Sequence, residues 1–221
     1  CFGPVLGIMY ADTLEEAIAW QNSTGYGLTG GIHSLDDKEI EYWIDNVEVG
    51  NAYVNRGITG AIVQRQSFGG WKKSVMGPGA KAGGPNYVAQ FGTWADGPLR
   101  PFDADISQPV AAQLRGFERL GLSDEDTAWL WRAAELDRIA WLEEFGRTHD
   151  RTALVAEANR FRYRPLLTKL RIRVGEDYKL RDVARQVLAS GITGTETEIS
   201  AAPEVAAQLQ ELGFDVKSIS D

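Results

Sequence analysis

The spacing of apolar and polar positions divides the first 55 residues into strand, helix, strand, helix, strand. Val5-Leu6-Gly7-Ile8-Met9-Tyr10 is apolar enough for a buried strand. Thr13 with Glu16 forms a capping box before a helix whose Leu14, Ala17 and Ile18 share one face, with Gly25 and Gly27 expected to end it. Leu28 to His33 reads as a glycine-containing strand. Ser34 with Asp37 then caps a second helix carrying Ile40, Trp43, Ile44 and Val47 at spacing i, i+3, i+4, i+7, and Asn51 to Asn55 reads as a third strand. Alternation of this kind predicts an α/β layer with parallel strands joined by crossover helices.

Periodicity vanishes between residues 56 and 87, a glycine-rich stretch too long for an ordinary connection. Glycines let backbone approach a ligand and turn several N–H groups toward one point, which suits an anion such as a carboxylate. An ordered surface loop accounts for the same composition. Tyr87 to Trp94 is expected to be a further strand, and residues 95–109, with three prolines, a linker.

Beyond the linker, Ser123 with Asp126 starts a long helix. Its Trp129, Ala133, Leu136 and Ala140 form one stripe, and Trp131, Leu142 and Phe145 fall nearly opposite, so the helix is expected between layers or at a domain contact. The alternating pattern then returns: strand Leu170 to Val174, helix Leu180 to Ala189, strand Glu196 to Ser200, helix Pro203 to Leu212, strand Phe214 to Ile219. Gly191-Ile192-Thr193-Gly194 reads as a turn, not a phosphate loop, and neither GxGxxG nor GxxxxGKS occurs. The expected organisation is a first region over 1–94, a linker over 95–109 and a smaller α/β domain over 110–221.

Composition narrows the classes. With 43% apolar residues and seven tryptophans in 221 residues, a real core is available. The net charge of −8 is negative in both halves: six Lys/Arg face nine Asp/Glu up to residue 94, and seventeen face twenty-two beyond it. That balance argues against nucleic acid as partner. A local exception runs from Arg147 to Arg173, where eight basic residues meet only Asp150 and Glu157, with Phe161 and Tyr163 interleaved. Basic residues with aromatics can bind single-stranded nucleic acid, and a basic surface facing acidic neighbours explains the run as well. No apolar run reaches the roughly 20 residues that cross a bilayer, so a cytoplasmic protein without membrane contact is expected. One cysteine excludes a disulfide framework, and with only His33 and His149 beside it no metal site is expected. The opening on Cys1 instead of methionine, running straight into an apolar segment, reads as a cut chain.

FGPVLGIMYADTLEEAIAWQNSTGYGLTGGIHS and GNAYVNRGITGAIVQRQSFGGWKKSVMGPGAKAGGPNY resemble the last third of the aldehyde dehydrogenase superfamily, specifically its L-glutamate γ-semialdehyde (1-pyrroline-5-carboxylate) branch, over residues 2 to 94. The resemblance implies NAD as cofactor of the intact parent, with none bound by this piece alone, and makes Phe2 of FGP the contact to the nicotinamide riboside. It implies that Thr59-Gly60-Ala61-Ile62-Val63 is the aldehyde-anchor loop, whose Gly60 and Ala61 amides hold the substrate α-carboxylate, and that Phe68 packs on the aliphatic part of the semialdehyde. Core packing is the plainer role for Phe68. Two positions depart from the pattern: Ser67 stands where proline is common, and Val75 where glycine is. The reaction needs a cysteine thiolate, hydride transfer to NAD and a glutamate-activated water. Both catalytic residues of the family precede FGP, so no residue here is assigned a catalytic role, Cys1 included.

FRYRPL and the strand–helix pattern after it look similar to the extra carboxy-terminal domain of some bifunctional proline-utilisation enzymes. Such a domain resembles a degenerate, Rossmann-like cofactor-binding fold that helps cover the cavity through which the intermediate passes. The helix from Ser123 would then be a docking element. Partners implied are a small-molecule substrate, the missing amino-terminal portion and further copies in a homo-oligomer. The alternative is a structural or interaction module whose α/β domain docks on another protein and covers its cavity.

Overall fold

The computed structural model describes residues 3–76, 80–95, 105–166 and 168–219, and it separates into two compact units. One comprises Cys1–Asp96 with Asp150–Asn159, the other Gly97–His149 with Arg160–Asp221.

In the first unit, helix α1 (Leu14–Asn22) begins at Thr13, whose hydroxyl accepts from the Glu16 amide at 3.1 Å, while the Glu16 carboxylate accepts from the Asp12 amide at 2.9 Å. The reciprocal bond thus reaches one residue further back than in the usual box. The helix ends at Ser23, ahead of the expected glycines, because the Ser23 amide and hydroxyl both turn back to the Trp20 carbonyl. A two-residue strand β1 (Tyr26–Gly27) leads to β2 (Thr29–Ile32), helix α2 (Asp37–Asn46) and β3 (Asn51–Val54). Strands β2 and β3 pair in parallel, Thr29 opposite Asn51 through Ile32 opposite Val54, with α2 as the crossover.

Asp36, not Ser34, caps α2, accepting from the Lys38 amide at 2.8 Å; Ser34 holds the approach by accepting from the Asp36 amide and donating to Glu39. Ile18, Trp43 and Val47 form the buried centre, with Leu14, Ile32, Ile44, Val49 and Val54 packed around it. Polar ties fix α1 to α2: the Trp43 indole donates to Gln21 at 3.0 Å, and Asn22 bonds both the Asn46 carbonyl and the Glu48 amide. Asn55, at φ 55°, closes β3 by bonding both backbone groups of Ser34.

Two expected strands are absent. Residues 5–10 form no ladder and lie open, with Leu6 84% and Tyr10 89% exposed, because among the described residues no strand offers them a partner. Val88–Phe91 forms one turn of 3₁₀ helix, with the Tyr87 and Phe91 rings edge to face at 5.7 Å.

The second unit opens with α3 (Gln108–Glu118), so the helix takes the last two residues of the expected linker, most of which lies outside the described residues. Helix α4 (Asp124–Ala140) starts at Ser123, which accepts from the Asp126 amide at 3.1 Å, and passes into a wider π turn over Trp141–Phe145. Then come β5 (Leu170–Val174), α5 (Leu180–Thr193), β6 (Thr197–Ala201), α6 (Pro203–Glu211) and β7 (Val216–Ser218), the strands parallel in the order β5-β6-β7.

Helix α5 lies between two cores. Its Val183 packs with Ile172, Val174, Ile199 and Leu209 on one side; its Ala184 and Leu188 pack with Leu114, Phe117, Leu130 and Ala134 on the other. This is the α/β class expected, a small parallel sheet preceded by helices. The buried face of α4 is Leu130 with Ala134, which belonged to neither expected stripe, while Trp129 and Leu136 are 43% and 40% exposed. Arg181 explains part of the difference: it bonds Asp126 at 2.7 Å and lies over the Trp129 ring at 5.4 Å, holding that indole at the surface. Arg185 and Asp137 add a two-pronged ion pair at 2.6 and 2.8 Å between α5 and α4. The expected turn at 191–194 is helical as far as Thr193, and Gly194 at φ 70° is its left-handed terminus.

Candidate functional site

Strand β3 is the base on which the glycine-rich stretch is laid. Gly50, just before it, lies so close to Gly69 and Gly70 that a Cβ there would collide with the Gly69 carbonyl oxygen. The next residue, Asn51, is 8% exposed and uses both ends of its amide. Its Oδ1 accepts from the Gly69 amide at 3.2 Å, and its Nδ2 donates to the Ser67 carbonyl at 3.1 Å. The residues on either side of Phe68 are therefore fastened to a buried side chain of β3. Trp71 and Lys72 then form β4, antiparallel to β1, with the Lys72 ammonium bound to Glu48 and to the Asn22 and Thr24 carbonyls.

Residues 81–84 clamp the stretch from its other side. Phe68 and Ala82 exchange both backbone bonds, at 3.0 and 2.9 Å, and the Gly83 carbonyl accepts from the Gln64 amide at 3.2 Å and the Ser67 hydroxyl at 3.3 Å. Ser67, one of the departures from the family pattern, thus holds the loop by a bond that proline could not make. The Lys81 ammonium enters the same junction, donating to the carbonyls of Gly50 and Gly69 (3.1 Å for the latter), with Asn51 Oδ1 at 3.4 Å. Burial lowers its pKa from 10.5 to about 8. Val75 and the adjoining Met76 are followed by residues 77–79, which lie outside the described residues.

On this frame the segment 57–64 stands open to solvent. Gly60 adopts φ 83°, a conformation that glycine takes without strain, and nothing lies within 4 Å of where a Cβ would project. Among the described residues, neither the Gly60 nor the Ala61 N–H donates to any protein acceptor, whereas the Ile62 amide donates to the Gln66 side chain at 3.1 Å and Gln64 is engaged with Gly83. Gly60 and Ala61 thus present two adjacent unspent donors immediately before the committed Ile62 amide. Such donors suit an oxyanion, since they are fixed in place before it arrives. Phe68 is 39% exposed, its ring accessible while its backbone is pinned by Ala82.

A third element supports the loop from far along the chain. Asp150 starts a tight turn, its Oδ1 accepting from the Thr152 and Ala153 amides and its Oδ2 from the Asn159 amide at 2.9 Å; these bonds, that from Ala153 foremost, lower its pKa. Glu157 accepts from Arg65 Nε at 3.0 Å and from its Nη2, and lies 3.6 Å from Arg56. Asn159 accepts from Gln66 at 2.9 Å and donates to Glu157 at 3.1 Å. The Arg65 bond, then the Asn159 bond, hold the Glu157 carboxyl below its ordinary range.

The structure thus gathers Gly60, Ala61 and Phe68 on one frame, and Phe2 lies outside the described residues, as does Cys1. Sequence reasoning missed Asn51, Lys81, Glu157 and Asn159. Lys81 did carry a signal, being the sole charged residue from Ser74 to Ala95, and Glu157 is one of only two acids in the basic run. The aromatics of that run engage one another: Tyr163 lies 4.8 Å from Phe145 and 5.3 Å from Phe161, each edge to face. Among the described residues no group of His, Cys, Asp and Glu could hold a metal ion, and no helix is long and apolar enough to cross a membrane.

Comparison with known proteins places these observations. The model of the aldehyde dehydrogenase family matches residues 1–94. The bifunctional protein PutA of Rhizobium meliloti is 42% identical over 112 residues, 49% of this chain and 9% of that protein. The 1-pyrroline-5-carboxylate dehydrogenase of Bacillus thuringiensis (strain Al Hakam) is 48% identical over 88 residues, 40% of this chain and 17% of that enzyme. Among solved structures, Proline Utilization A (PutA) from Corynebacterium freiburgense aligns with the whole chain at TM-score 0.72 and 48% identity, the chain covering 23% of it. The chain therefore spans less than a quarter of each of these relatives, and its similarity to the aldehyde dehydrogenase family model lies in residues 1–94.

Proposed function

We propose that this chain supplies the substrate-anchor portion of an NAD-dependent L-glutamate γ-semialdehyde dehydrogenase of proline breakdown, a cytosolic enzyme larger than the chain itself. The observation that carries the reading is the pair of unspent N–H groups at Gly60 and Ala61, exposed on a loop whose flanks are tied to β3, to Gly83 and to Glu157. A substrate α-carboxylate received there would gain charge-assisted hydrogen bonds from donors that need no ordering. Phe68, fixed by Ala82 and partly open, would face the methylene part of the same molecule.

When bound, NAD accepts the hydride from the oxidised carbon. The residues of this chain supply orientation: the anchor fixes one end of the substrate and so restricts where its aldehyde can lie. Nucleophile, base and most of the cofactor contacts are assigned to the remainder of the parent, with Phe2 the one cofactor contact contributed here. The chain alone is accordingly expected to reduce no NAD.

The test is Gly60→Val in the full-length enzyme. Valine at φ 83° forces the loop to rearrange, and loss of one hydrogen bond to a charged group, roughly 1.5–3 kcal/mol, raises KM for the semialdehyde by about tenfold or more while leaving KM for NAD within about twofold. An unchanged KM for the semialdehyde refutes the anchor.

A second reading, an interaction module, draws on the second unit, which has two cores of its own. Limited proteolysis separates the two: a stable product limited to the second unit favours the module.

A further inference from the structure

We propose that Glu157, on the strap Asp150–Asn159, is a positioning and specificity-determining residue for the anchor loop, occupying the two guanidinium groups that bracket the loop so that backbone amides alone receive the substrate carboxylate. The inference rests on the anchor reading and deepens it.

Arg56 immediately precedes the open segment 57–64 and Arg65 immediately follows it. A guanidinium is the side chain best matched to a carboxylate, so two of them at the ends of the segment that carries the Gly60 and Ala61 amides would offer a rival site for the substrate acid group. Both are already engaged. Arg65 binds Glu157 Oε1 through Nε and Nη2, and Arg56 lies between Glu157 Oε2 at 3.6 Å and the Tyr53 ring at 5.3 Å.

The strap holding that carboxylate is itself constrained. Asp150 ties its two ends together through the Ala153 and Asn159 amides, and Asn159 donates to Thr152 at 3.0 Å and to Glu157 at 3.1 Å. Gln66 completes the link by donating to Asn159 while accepting from the Ile62 amide, so the strap reaches the loop backbone next to Ala61 in two steps. About ninety residues separate the strap from the loop in sequence, yet the strap belongs to the same compact unit.

The experiment has two arms. In this chain, hydrogen exchange is measured over residues 62–66, where the Ile62, Gln64, Arg65 and Gln66 amides are hydrogen-bonded, for the wild type and Glu157→Gln, which keeps the shape and removes the charge. The expected result is exchange faster by about fivefold or more in that segment, with α1 and α2 unchanged; equal exchange overturns the proposal. In the full-length enzyme, Glu157→Gln should raise KM for the semialdehyde by about fivefold with kcat changed less than twofold, leave KM for a straight-chain aldehyde lacking the α-carboxylate unaltered, and be partly rescued by Glu157→Asp. Loosened exchange with an unchanged KM for the semialdehyde overturns the positioning role and leaves only a structural tie. Failure of the anchor reading shows itself separately, as an unchanged semialdehyde KM in Gly60→Val, and does not affect the exchange arm.

Discussion

Replacing Lys81 with methionine should change how stability depends on pH. The Lys81 pKa falls from 10.5 to about 8 because the ammonium is largely withdrawn from water. Below pH 8 the group is charged in both the folded and unfolded chain, and its burial cost is fully present. Between pH 8 and 10.5 the unfolded chain holds a proton that the folded chain has released, so stability rises with pH; above 10.5 the effect is complete. The whole change is at most about 3 kcal/mol. The carbonyls of Gly50 and Gly69 and the Asn51 side chain favour the charged form and oppose the shift, so a gain of about 1–3 kcal/mol is expected. Urea unfolding at pH 7 to 10.5, followed by the methyl NMR signals of Ile18 and Val47, reads the first unit directly. The wild type should gain that amount relative to Lys81→Met across the range, other titrating groups cancelling in the comparison. Parallel pH profiles for the two proteins would refute the reasoning.

Phe68→Ala in the full-length enzyme should lower kcat/KM for the semialdehyde by about tenfold while leaving KM for NAD unchanged; unaltered efficiency in steady-state assays would leave the ring a packing role. Leu188→Ala empties a fully buried position between α5 and the α3–α4 pair and should cost about 2–5 kcal/mol. Urea unfolding of the second unit, read by the Leu130 methyl signals, checks this; a loss below about 1 kcal/mol would mean that this core is not close-packed.

Much of this architecture was readable from local chemistry. Thr13 and Ser123 announced their helices because a hydroxyl one turn ahead of an apolar face has few other uses, and the β–α–β alternation after Leu170 is hard to satisfy except with parallel strands. The misread apolar segments share one cause. Val5–Tyr10, Tyr87–Trp94 and the two faces of α4 are apolar segments whose state depends on what lies opposite, and periodicity does not reveal the opposing surface. Leu130 and Ala134 were passed over because only contact with Ala184 and Leu188 selects their face among several apolar ones.

The site shows the same division. Gly60, Ala61 and Phe68 were singled out as candidates by motif resemblance, whereas Asn51, Lys81 and Glu157 act through backbone groups and distant side chains that no spacing rule relates. Glu157 is the clearest case, since its partners Arg56 and Arg65 lie about ninety residues away and its neighbours in sequence suggested a basic surface or a nucleic-acid contact, not a tie to the loop.

Crystals of the full-length enzyme soaked with L-glutamate, the oxidised product, put the central assignment to a direct test. The α-carboxylate should lie about 2.7–3.2 Å from the amide nitrogens of Gly60 and Ala61, with the side-chain methylenes against Phe68. An α-carboxylate bound instead by arginine or lysine side chains, with those two amides facing water, would contradict it.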